Sequence, residues 1–94
     1  MNSLVGCIAK SKAGHDKNEF YIIIKEEENR VTLCNGRNRT LERPKIKSKK
    51  HIQPMIKGVD EAIKNKLKAN AFVTNEEIKY AIKLITKEEG HVKI

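Results

Sequence analysis

A chain of 94 residues can bury one modest core, and with 38% hydrophobic but only 4% aromatic residues that core must be aliphatic. Four rings (Phe20, Tyr21, Phe72 and Tyr80) are too few for a multi-base stacking platform, and no apolar run approaches the roughly 20 residues of a membrane span. The formal net charge of +8 is concentrated in Asn35 to Lys57, where eight Lys and Arg face Glu42 alone, while the flanking segments are nearly balanced. Like charges at close range repel, so such clustering is the electrostatic footprint of a protein that meets a polyanion.

In chain order, Leu4 to Lys10 reads as a first strand, followed by a polar turn from Ser11 to Asn18. Gly14 permits a positive φ in that turn and Asn18 tolerates one, so Lys12, His15 and Lys17 project from it. Glu19 to Lys25 is the strongest strand, and its continuous apolar run Phe20 to Ile24 predicts packing on both faces. Arg30 to Cys34 returns as a third strand and Asn35-Gly36 makes a tight turn. Arg37 to Leu41 and the proline-bracketed segment Pro44 to Ile52 are read as two further short strands, with exposed lysines on one side and Ile46 and Ile52 anchoring the other. Five short strands at this spacing fit a small all-β barrel.

The pattern changes at Gly58. Val59, Ala62, Ile63 and Leu67 have helical spacing, with Asp60 and Glu61 in the first turn. Thr74 and Glu77 form a capping box that opens a second helix striped by Ile78, Ala81, Ile82 and Ile85, with Gly90 as terminator. The expected division is a β-barrel over 1–56 and a helical hairpin over 57–94, packed on or beside it.

Cys7 and Cys34 sit among apolar residues and read as small buried hydrophobes; with His15, His51 and His91 they show no ligand-like spacing, so no metal is expected. The carboxylates occur in runs, and neither a phosphate loop nor a nucleophile setting is present. The sequence therefore predicts a non-enzymatic protein with no cofactor and no small-molecule substrate. Met1 to Lys10 lacks the charge and apolar centre of a signal peptide, so a cytoplasmic location without membrane attachment is expected.

Ser11-Lys12-Ala13-Gly14-His15-Asp16-Lys17 followed by the apolar strand resembles the KOW motif of ribosomal proteins and NusG-type transcription factors. The basic segment Pro44-Lys45-Ile46-Lys47-Ser48-Lys49-Lys50-His51 is similar to that of the small KOW-containing RNA-binding proteins of Gram-positive bacteria, relatives of the archaeal and eukaryotic ribosomal large-subunit protein fourteen. His15 stands where related proteins often carry arginine, and Asn18 where many carry glycine. The resemblance implies a mainly β fold, a five-stranded Src-homology-3-like barrel followed by two helices. It also implies binding to ribosomal RNA of the large subunit or another structured RNA, with contacts to ribosomal proteins. Arg37, Arg39, Lys45, Lys47, Lys49, Lys50 and His51 are the expected contacts, with Lys12, His15 and Lys17 from the neighbouring loop. The alternative is an adaptor of the translation or transcription machinery that works through the C-terminal helices. Truncation after Ile56 is expected to separate the two.

Overall fold

The computed structural model describes residues 3–59 and 61–92. Among them, strands β1 (Cys7–Ser11), β2 (Phe20–Glu26), β3 (Arg30–Cys34), β4 (Lys45–Ser48) and β5 (Ile52–Val59) form one antiparallel sheet, ordered β4-β3-β2-β1-β5. A single 3-10 turn, Lys49–His51, links β4 to β5, and helices α1 (Glu61–Lys68) and α2 (Asn75–Val92) close the chain. The fold is mainly β, a sheet curled into a half-barrel with two C-terminal helices.

The curl follows from local irregularities and from what lies on each face. Register shifts between Cys7 and Ile8, and between Ile23 and Lys25, add the extra twist that a bulge gives a strand. On the concave face Ala9, Tyr21, Ile23, Val31, Leu33 and Ile52 form one buried cluster. On the other, Ile8, Ile22 and Cys34 pack with Ile63, Val73, Ile78 and Ala81 from the helical part. The apolar run of β2 is thus buried on both sides, by the curled sheet and by the helices, as its lack of alternation predicts.

Four expectations fail. Arg37 to Leu41 is not a strand, because Asn35 folds the chain back: its Oδ1 accepts from the Arg37 and Arg39 amides at 2.9 and 3.0 Å. The fifth strand comes instead from the segment after Pro44, which the 3-10 turn divides into β4 and β5. Ile46 does not anchor the sheet: it is 58% exposed, while the Lys47 side chain is only 11% exposed. In the β3–β4 register Lys45 and Lys47 pair with Leu33 and Val31, so both lysines lie on the concave face, and the expected phase is inverted. Gly90 does not end α2, which continues to Val92. Val59, expected to open a helix, pairs with Cys7 at the end of β5, and Asp60 lies outside the described residues. The capping box is as expected, with the Thr74 amide donating to Glu77 Oε1 at 2.9 Å and the Glu77 amide donating to Thr74 Oγ1 at 3.1 Å. No helix among the described residues is long and apolar enough to cross a membrane.

Candidate nucleic-acid interface

The β1–β2 loop leaves the sheet near its β5 edge and reaches the opposite edge, where Asp16 fastens it to β4. Gly14 at φ +84° and Asn18 at φ +75° give the loop its two left-handed turns. Asp16 Oδ1 accepts from Ser11 Oγ and from Lys47 Nζ, both at 2.8 Å. Its Oδ2 accepts from the Tyr21 hydroxyl at 2.8 Å and pairs with Lys45 Nζ at 3.1 Å. Burial alone would push the Asp16 carboxyl up, but hydrogen bonds from Lys47, Ser11, Tyr21 and Lys45 together hold it far below the usual carboxylate range. The Tyr21 hydroxyl is pushed up by its own burial and by the carboxylate that it serves.

This network changes the accounting of the basic segment. Lys45 and Lys47 neutralise Asp16, and Lys47 Nζ also donates to the Ala13 carbonyl at 3.1 Å. Lys49 pairs with Glu26 at 2.7 Å; that bond and the Leu4 amide hold the Glu26 carboxyl below its ordinary value. Three of the lysines assigned to phosphate contact on sequence grounds therefore also have partners within the fold. Lys12, Lys17, Arg37, Arg39 and Lys50 have no acidic partner among the described residues.

Arg37 and Arg39 project from a tightly clamped turn. Besides the two amides that Asn35 caps, its Nδ2 donates to Asn38 Oδ1 at 2.9 Å, and the Arg39 carbonyl accepts from the Asn35 amide at 2.8 Å. Asn75, at the start of α2, holds the far end of the loop: its Oδ1 accepts from the Leu41 amide at 2.8 Å and its Nδ2 donates to Glu42 at 3.1 Å. Facing this turn across a groove of about 820 Å3 are His15 and Asp16 from the β1–β2 loop, with Lys45 and Tyr21 also on its walls. The structure thus brings four of the expected residues, His15, Arg37, Arg39 and Lys45, into one groove. Lys50 and His51 are exposed on the 3-10 turn, beside Lys12, whose amide donates to the His51 carbonyl at 2.8 Å. Lys17 is exposed on the same loop as His15.

Cys7 and Cys34 are free thiols; burial pushes Cys34 up to about 12, which leaves it unreactive at neutral pH. The residues that sequence reasoning passed over are Asp16, Tyr21, Ser11 and Asn35. The available signal was Asp16, an isolated acid in a basic loop five residues before a tyrosine. Neither protein-family models nor curated proteins give a match to this chain.

Proposed function

We propose that the chain is a non-enzymatic RNA-binding module with a KOW-type, Src-homology-3-like half-barrel, which docks on structured RNA in the cytoplasm, foremost ribosomal RNA of the large subunit. The observation that carries this reading is the pair Arg37 and Arg39, cations without acidic partners among the described residues, on a clamped turn that faces His15 across an open groove. The positive φ angles at Gly14 and Asn18 in the β1–β2 loop support the KOW resemblance, as does the placement of β1 beside β5. Guanidinium groups held on a rigid turn suit bidentate contact with phosphate, so recognition rests on backbone shape more than on base edges.

Affinity of the full chain for a labelled RNA stem-loop, titrated over a range of KCl, tests the mechanism. With five available cations the log–log salt slope is expected to be about −3.5 to −4.5, and the double substitution Arg37→Ala and Arg39→Ala should flatten it by about 1.5. A slope near zero overturns the reading. Co-sedimentation of the protein with the large ribosomal subunit in a lysate gradient identifies the RNA. The adaptor role remains the second reading, supported by the exposed Tyr80 and Leu84 on α2. It predicts no steep salt dependence toward RNA.

A further inference from the structure

A second groove, of about 620 Å3, adjoins the first and shares Glu19, Asn35 and Arg37 with it. It runs between α2 and the start of β2. Phe20 and Ile82, both partly buried, supply an apolar base, and Tyr80 stands on its wall with 63% of its surface exposed. A tyrosine that exposed contributes little to packing, and its ring offers a π-face next to a cationic surface. Lys83 also lines the groove without an acidic partner among the described residues, whereas Lys79 is paired with Glu76 at 3.7 Å. Asn18 brings a side-chain amide, both donor and acceptor, to the same space, with no side-chain hydrogen bond of its own among the described residues. The volume falls within the ~300–1,000 Å3 of sites that take small ligands.

We propose that this groove receives one unpaired nucleotide of the bound RNA, with its base stacked on Tyr80 above Phe20 and Ile82 and its phosphate between Arg37 and Lys83. The proposal rests on the RNA-binding reading and sharpens it: the preferred ligand is a helix interrupted by an unpaired base, not a continuous duplex. One exposed ring serves one base, in keeping with a composition too poor in aromatics for a longer platform. The occupant follows from continuity with the cationic groove, since Arg37 borders both spaces and one RNA strand can pass from one to the other.

The test uses the full chain and two labelled RNA probes with equal numbers of phosphates, a stem-loop with unpaired loop bases and a fully paired duplex. The wild type should prefer the stem-loop. Tyr80→Ala should weaken stem-loop binding about 5- to 150-fold, the range of one stacked base, and leave duplex affinity and salt slope unchanged. Tyr80→Phe should retain the wild-type preference, because stacking needs the ring and not the hydroxyl. Equal stem-loop binding by Tyr80→Ala and wild type overturns the groove assignment while the RNA-binding reading stands. Failure of the wild type to bind either probe removes both. A dimer in sedimentation velocity that Tyr80→Ala dissolves would give the groove to a second copy, and would likewise overturn the proposal.

Discussion

At the residue scale Asp16 governs the most. Its two oxygens collect a serine, a tyrosine and two lysines, from β1, β2 and β4, so one carboxylate joins three strands and its own loop. Replacement by Asn keeps the shape but leaves two ammonium groups on the concave face without their counter-charge. We expect Asp16→Asn to cost about 3 kcal/mol at neutral pH, measured by urea denaturation. The pH dependence follows from the lowered carboxyls of Asp16 and Glu26. Below about pH 5 the unfolded chain takes up protons that the folded state refuses, so the stability that these groups contribute is complete above that point. It is lost as the pH falls toward their folded values. Asp16→Asn should therefore show a shallower loss of stability in acid than the wild type. An unchanged profile would assign acid unfolding to other carboxylates.

At the scale of elements, the turn after β3 and the start of α2 are fitted to each other. Gly36 has a φ of +78°, and a Cβ placed there would run into the Asn75 carbonyl oxygen and crowd Lys79. Gly36→Ala is expected to lower the melting temperature by about 8 °C or more, as strain and clash together exceed about 1–2 kcal/mol. A melting point within about 2 °C of wild type would show that α2 can move away. What the sequence discloses about these elements depends on how local the cause is. The capping box at Thr74 and Glu77 acts over three residues, and the two-faced burial of β2 is written in its own composition, so both were legible. The strand expected over Arg37 to Leu41 was lost to the side chain of Asn35, which is local but competes with the backbone in a way that propensity does not reveal. The phase of β4 is decided by Asp16, 31 residues away from Lys47 in the chain. Alternation alone cannot say which of two alternating sets points inward when the inward set is charged. The candidate site shared this fate. Arg37, Arg39 and His15 were legible as candidate contacts, but their shared groove, and the pairing of Lys45, Lys47 and Lys49, depend on contacts between distant segments.

At the scale of the molecule, half-barrel and helices share a core. Ile63, Val73, Ile78 and Ala81 close over Ile8, Ile22 and Cys34. Truncation after Ile56 would remove those four residues and the end of β5, uncovering the apolar face of β1 and β2. We expect the truncated chain to be unfolded by circular dichroism, so it cannot separate an RNA binder from an adaptor; a cooperative melt of 1–56 would show that the barrel stands alone. The surface substitutions Arg37→Ala and Arg39→Ala answer the same question with the core left whole, since they remove RNA contacts and leave the exposed Tyr80 and Leu84 of α2 in place.

The clamped turn that carries Arg37 and Arg39 has a further consequence. Asn35 ties it from within, and Asn75 ties its far end to α2, before any ligand arrives. Its conformational entropy is surrendered during folding, so a polyanion that meets it does not have to order the loop as it binds. Association there should proceed without a slow rearrangement step and be set by electrostatic steering, and differences in affinity among ligands should appear as differences in how long each one stays.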